Sequence, residues 1–161
     1  MKNPTFLLTA AGLIAASVLF WTFMFQDRPD ETGKPADGEI TVTMYHGEGC
    51  MCCIRWAEYL EEEGFTVIDK KVENLFDVKD EYNIPYEVNS CHTAIVDGYV
   101  VEGHVPAEDI RNLLAERPDA IGISVPGMPP NAPGMDRPVS RPYHVIIFDH
   151  DQNMHVYNTH E

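Results

Sequence analysis

Three of the four cysteines stand within four residues, Cys50-Met51-Cys52-Cys53, and the fourth, Cys91, is followed by His92. Thiolates attack disulfides and also bind soft metals, so two chemistries compete for this cluster. Cys50 and Cys53 have the Cys-x-x-Cys spacing of a dithiol redox pair. Such a pair needs two sulfurs, and a third directly beside it invites scrambling. A single zinc wants four ligands in a tetrahedron, commonly supplied by two Cys-x-x-Cys knuckles. Only one knuckle exists here, and the side chains of the neighbours Cys52 and Cys53 diverge. Several soft monovalent ions bridged by shared thiolates fit better, since Cu(I) takes cysteine and methionine sulfur at low coordination number. Cys91 would then complete a four-sulfur set, with His92 as a nitrogen ligand or a neighbour. Two further readings stay open. Four cysteines allow three disulfide pairings, although one bridge to Cys91 leaves two thiols over. A zinc-stabilised structural module would unfold on chelation.

Other soft or nitrogen donors are weaker candidates. His46, four residues before Cys50, reads as a strand-end surface residue with an accessory ligand role as the alternative. His104, just ahead of a helix start, reads as a capping or surface residue. Met128 and Met135 read as loop anchors, yet a proline-stiffened loop can hold a thioether over a copper site. His144, His150, His155 and His160 are scattered, and Trp56 and Tyr59 fit a core better than a cofactor contact.

The elements that must position these groups follow from periodicity. Residues 39–45 alternate, with Ile40, Val42 and Met44 on one face, and predict a strand. Residues 53–63 predict a helix with Cys53, Trp56, Ala57 and Leu60 turned inward and Gly64 ending it. The cluster thus lies where a strand hands over to a helix. The free N–H groups of a helix start favour thiolate there. Cys53 should face inward and Cys50 outward. A β-branched strand is expected over 65–72, a short helix over 75–82 and a hairpin over 93–96 and 99–102 around Asp97-Gly98. A third helix is expected over 106–117, opened by Pro106 and stopped by Pro118. The order β-α-β-α-β-β-α is that of a thioredoxin-like α/β domain. Residues 126–142 form a proline-rich loop, and 143–148 with 154–157 predict a closing C-terminal β-hairpin.

The rest of the chain bounds location and partners. Residues 6–25 are apolar apart from a few small residues and match a bilayer span of about 20 residues. Ala15, Ala16 and Ser17 are followed by more apolar bulk, which favours an uncleaved transmembrane helix over a cleaved signal peptide. Lys2 precedes this stretch, while Asp27, Asp30 and Glu31 follow it, leaving the N-terminus in the cytoplasm and the domain in the periplasm. The expected organisation is a membrane anchor or signal segment over 1–26, a linker over 27–38 and the copper-binding domain over 39–161. A net charge of −15 excludes nucleic acid as a partner, because phosphate binding needs a basic stripe.

Four strings in order complete the reading: His46-Gly-Glu-Gly-Cys-Met-Cys-Cys-Ile-Arg-Trp-Ala-Glu-Tyr-Leu, Ser90-Cys-His-Thr-Ala, Asp97-Gly-Tyr-Val-Val-Glu-Gly-His-Val-Pro and Val125-Pro-Gly-Met-Pro. Together they resemble the CopG-type family of periplasmic, thioredoxin-fold copper-resistance proteins, from about residue 42 to about residue 157. The resemblance implies that Cys50, Cys52, Cys53 and Cys91 are copper-binding thiols, with His92 and His104 in family motifs near them. Met51 stands where the family commonly has glycine. The expected function is a periplasmic protein holding more than one Cu(I) in a thiolate cluster for copper resistance. It would act by sequestration, transfer to an efflux system or periplasmic copper carrier, or copper redox conversion. The alternative is a thiol-disulfide oxidoreductase using Cys50 and Cys53, so whether the chain is an enzyme stays open.

Overall fold

Alternating apolar residues build the central strands of a seven-stranded sheet in this computed structural model, which describes residues 39–161 apart from 136, 138 and 140. The expected anchor over 1–26 and the linker over 27–38 lie outside the described residues. No described helix is long and apolar enough to cross a membrane.

Strand β1 (Ile40–His46) leads into helix α1 (Met51–Glu62), then strand β2 (Phe65–Lys71) and helix α2 (Leu75–Glu81). A single 3₁₀ turn (Tyr86–Val88) precedes the hairpin of β3 (His92–Val96) and β4 (Tyr99–Gly103). Helix α3 (Ala107–Glu116), strand β5 (Gly122–Val125) and a second hairpin of β6 (Tyr143–Phe148) and β7 (Met154–His160) complete the chain. The sheet order is β2-β1-β3-β4-β5-β6-β7. Strands β1 and β2 run parallel, β3 is antiparallel to β1 and β4, and β5 returns parallel to β4.

The expected order through α3 is therefore present, and so is the closing hairpin. Strand β5 was not expected. Its four residues, Gly-Ile-Ser-Val, are too few to alternate visibly, and all four are buried because the strand is flanked on both sides. Gly122 allows that pairing, since a Cβ there would sit 1.9 Å from the Val100 carbonyl oxygen. Strand β6 then pairs antiparallel with β5, and β7 pairs antiparallel with β6, extending the sheet beyond β5.

Helix α1 buries Cys53, Trp56, Ala57 and Leu60, the face expected from i, i+3, i+4, i+7 spacing. These join Val42, Met44, Ile110 and Leu113 in one core. Fully burying each large apolar side chain contributes roughly 1.5–3 kcal/mol. The helix starts at Met51, earlier than the apolar face alone indicates, because its first residue points outward and is 63% exposed.

Candidate metal centre

The cysteine run sits on the first turn of α1. Gly49, with φ of +78°, turns the chain after β1, and Cys50 becomes the N-cap residue. The Cys50 carbonyl accepts from the N–H groups of Cys53 and Ile54 at 3.1 and 3.3 Å, while no side chain among the described residues caps the helix start. The positive end of the helix dipole thus faces sulfur. Cys53 is fully buried and Cys50 half-buried, the expected asymmetry. These two are joined as a disulfide, and Cys52 and Cys91 are free thiols.

Cys91 reaches the run from the far side, at the entry to β3. The Cys52 sulfur lies 3.6 Å from that of Cys50 and 4.0 Å from that of Cys91. All four sulfurs lie within 4.8 Å of one another. A second group, Cys91, His92 and His104, meets the same criterion and shares Cys91 with the first. The Cys91 sulfur is 3.5 Å from His92 Nδ1 and 3.3 Å from His104 Nε2. The six candidate ligands therefore converge from the α1 start, the β3 entry and the residue after β4. Six donors in two sets exceed what one tetrahedral ion takes, whereas thiolates can bridge several soft ions.

His104 is not a surface residue. It is fully buried, and its Nδ1–H donates to the Pro133 carbonyl at 2.7 Å. A carbonyl only accepts, so Nδ1 carries the proton and the bare Nε2 lone pair faces Cys91. Metal-binding histidines are oriented by such a bond from the second nitrogen. Gly103 makes the geometry possible, with φ of +75° and Ser90 Oγ 2.5 Å from where a Cβ would stand. His92 is also fully buried, its ring tilted against Trp56 with 4.4 Å between centroids and edge-on to His104 at 5.2 Å. Its Nε2 has no hydrogen-bond partner among the described residues.

Burial sets the protonation of the site. Desolvation, followed by the neighbouring Cys52, pushes the Cys91 thiol up to about 12. Desolvation also holds His92 well below the usual imidazole range and lowers His104. Cys91 is thus a protonated thiol facing unprotonated imidazoles. A soft cation bound by these thiols would displace their protons.

A buried ion pair anchors the Cys91 segment. Lys79 of α2 contacts Glu102 of β4, and both side chains are at most 4% exposed. Lys79 Nζ also donates to Thr93 Oγ1 at 3.0 Å, and Thr93 donates to Glu102 Oε2 at 2.8 Å. The Ser90 N–H donates to Glu102 Oε1 at 2.5 Å, one residue before Cys91. Nothing in the sequence marks this support, because Lys79 and Glu102 stand 23 residues apart and meet only in the folded chain.

The remaining candidates separate. His46 is buried rather than on the surface, and both its ring nitrogens are engaged, with Gly47 O and Asp69 at 2.7 Å each. Met135 packs on the core, while Met128, 45% exposed, lines a cleft with Cys91, Ser90, Phe76 and Tyr86. His160 bonds the buried carboxylate of Asp109 at 2.6 Å, and His144 bonds Thr159 at 2.9 Å. The four tail histidines, His144, His150, His155 and His160, join neither cluster. Trp56 donates to the Val105 carbonyl at 2.9 Å from within the core, and the Tyr59 hydroxyl accepts from the Ala107 N–H at 3.1 Å.

Residues 88–135, which carry Cys91, His92, His104 and the first part of the proline-rich loop, match a family described as protein of unknown function, DUF411. No curated protein matches the chain. Two solved structures of the copper resistance protein CopG are similar to it. Form 2 is 36% identical, with 76% of this chain and 99% of that one covered and a TM-score of 0.73. Form 1 is 37% identical, with 75% and 97% covered and a TM-score of 0.71. With more than a third of positions identical along nearly the whole length of those proteins, the chain belongs to the CopG-type copper-resistance family.

Proposed function

We propose that this protein binds Cu(I) as its cargo, holding more than one ion in a cluster bridged by the thiolates of Cys50, Cys52, Cys53 and Cys91, with His92 and His104 as nitrogen donors. The observation that carries the reading is the sharing of Cys91 between a four-sulfur group and a two-imidazole group, each within 4.8 Å. His104, its Nδ1 fixed by Pro133, offers a lone pair without further rearrangement. The two remaining thiols are too few for the full cluster, so copper loading begins with reduction of the Cys50–Cys53 disulfide.

The reading sets this site on a thioredoxin-like scaffold, with β6 and β7 as an added hairpin. It places the domain in the periplasm, anchored to the inner membrane by residues 1–26. There the protein serves copper resistance by sequestering copper, passing it to an efflux system or carrier, or converting its oxidation state. Soft sulfur favours Cu(I) over Cu(II), so a redox role is chemically natural.

Anaerobic Cu(I) titration of the reduced full-length chain tests the binding claim. More than one tightly held ion per chain is expected, with the capacity reduced in Cys52→Ser and Cys91→Ser. One weakly held ion, unchanged in both variants, would overturn it. The closed Cys50–Cys53 disulfide favours a second reading, a thiol-disulfide oxidoreductase with Cys50 as the attacked and attacking sulfur. That reading requires disulfide reductase or thiol-oxidase activity that survives both substitutions.

A further inference from the structure

The bond that orients His104 ends on a turn that a second side chain holds in place. His104 Nδ1–H donates to the Pro133 carbonyl at 2.7 Å, and the next carbonyl along, that of Gly134, accepts from Arg55 Nε at 2.9 Å. Pro133 and Gly134 are the central residues of a β-turn, closed by the Met135 N–H donating to the Ala132 carbonyl at 3.0 Å. Proline fixes a negative φ at the first central position, and Gly134 has φ of +75° at the second, which makes the turn type II. The type bears directly on the metal centre. The Pro133 carbonyl belongs to the peptide between the two central residues, and that peptide is the one that turns over between types I and II. In the type I form the carbonyl would point away from His104.

Helix α1 opposes that flip in two ways. Gly134 lies so close to the helix that a Cβ there would stand 2.7 Å from the Trp56 backbone nitrogen, which leaves the turn little room. Half-buried Arg55, one residue ahead of Trp56, grips the Gly134 carbonyl from the same helix. We propose that Arg55 is a positioning residue of the metal centre: its bond to Gly134 holds the Pro133–Gly134 turn as type II, and the turn holds His104 as the Nδ1–H tautomer with Nε2 facing Cys91. A guanidinium has no lone pair to give a metal, so Arg55 acts only through the two carbonyls of this turn. Without the clamp the turn samples type I, and a neutral His104 that has lost its acceptor also populates the Nε2–H tautomer. In that tautomer a proton occupies the nitrogen offered to the metal. The effect on copper rests on the binding proposed above, whereas the effect on the tautomer does not.

The experiment uses the full-length chain in detergent micelles, metal-free and labelled with heavy nitrogen at histidine. Long-range proton–nitrogen correlation at about pH 8, where imidazole is neutral, reads the tautomer of each ring. His104 is assigned by the signals that His104→Gln lacks. The parent should show one tautomer there, with a protonated Nδ1 and a bare Nε2. Arg55→Met keeps the apolar stem and removes the donor, so the two ring-nitrogen shifts of His104 should converge as tautomers mix. Arg55→Gln, too short for the same reach, is a second variant with the same expectation. Arg111→Met controls for general loosening. Arg111 of α3 grips Glu63 at the far end of α1, and its loss should leave the His104 pattern intact. A single parental tautomer in both Arg55 variants would overturn the proposal. So would mixing in Arg111→Met equal to that in Arg55→Met.

Competition with a Cu(I) chelator supplies the second readout. Arg55→Met should bind Cu(I) roughly tenfold more weakly with the number of ions unchanged, since no ligand is lost. A parental affinity in a variant whose tautomers mix would overturn the link from the turn to the metal centre. A parent chain that fails to bind Cu(I) would count against the copper reading alone, and the tautomer measurement would still decide the role of Arg55.

Discussion

Replacing Lys79 with methionine keeps most of the side-chain volume but leaves the Glu102 carboxyl buried without its cation. Glu102 is completely buried, and Lys79 nearly so. Removing one member of a buried ion pair costs about 3–5 kcal/mol, because the other charge stays uncompensated. For a chain of this size that lowers the melting temperature by roughly 10 °C. The loss should depend on pH in a defined direction. Desolvation already raises the Glu102 carboxyl above its ordinary value, opposed by Lys79 and by the Thr93 and Ser90 donors. Without Lys79 it rises further. A carboxyl whose folded value exceeds its unfolded value of about 4.3 favours the folded state below that value and loses the benefit as pH rises. The deficit of Lys79→Met relative to the parent should therefore be smallest near pH 4.5 and grow toward neutrality. Urea unfolding of metal-free protein at several pH values measures it. Adding Glu102→Gln to Lys79→Met removes the orphaned charge and should recover at least 1 kcal/mol, an amount on the scale of replacing buried ion pairs by neutral groups. A deficit under about 1 kcal/mol at pH 7.5, or one growing toward acid, would refute the reasoning from burial and pairing.

Other substitutions probe the site from different sides. His104→Gln removes the Nε2 lone pair facing Cys91 and should weaken Cu(I) binding by roughly 10–100-fold, measured by competition with a chromophoric Cu(I) chelator. Gly134→Ala should destabilise the fold by roughly 1–3 kcal/mol in urea unfolding. Its Cβ would stand 2.7 Å from the Trp56 backbone nitrogen at a φ of +75°, levering the proline-rich loop off α1. Desolvation lowers the buried imidazoles of His92 and His104, so the unfolded chain binds their protons first. Their contribution to stability is present above the unfolded value of about 6.5 and is lost as pH falls below it. Metal-free His104→Gln should accordingly show a shallower loss of stability between pH 6.5 and 5 than the parent does.

What the sequence revealed, and what it hid, divides along physical lines. Strands β1 and β3 and helix α1 announce themselves because residues at period 2 or 3.6 face one core, which also placed Cys53 inside and Cys50 at the helix start. Convergence of Cys91 on the run follows from the β1–β3 pairing, where His46 stands opposite His92. The depth of His104 was hidden. It depends on the positive φ of Gly103 and on a carbonyl 29 residues away, at Pro133. Lys79–Glu102 was hidden for a similar reason, since only the tertiary fold makes two charged residues into an interior pair. Strand β5 escaped because its burial comes from neighbours on both sides rather than from its own pattern.

X-ray absorption at the copper edge of the anaerobically loaded full-length protein tests the central claim most directly, because it reports ligand type and metal–metal contact together. The account predicts Cu(I) with a sulfur-dominated first shell, a minor nitrogen contribution and a copper–copper scattering path. A first shell of nitrogen and oxygen alone, without a copper–copper path, would contradict it.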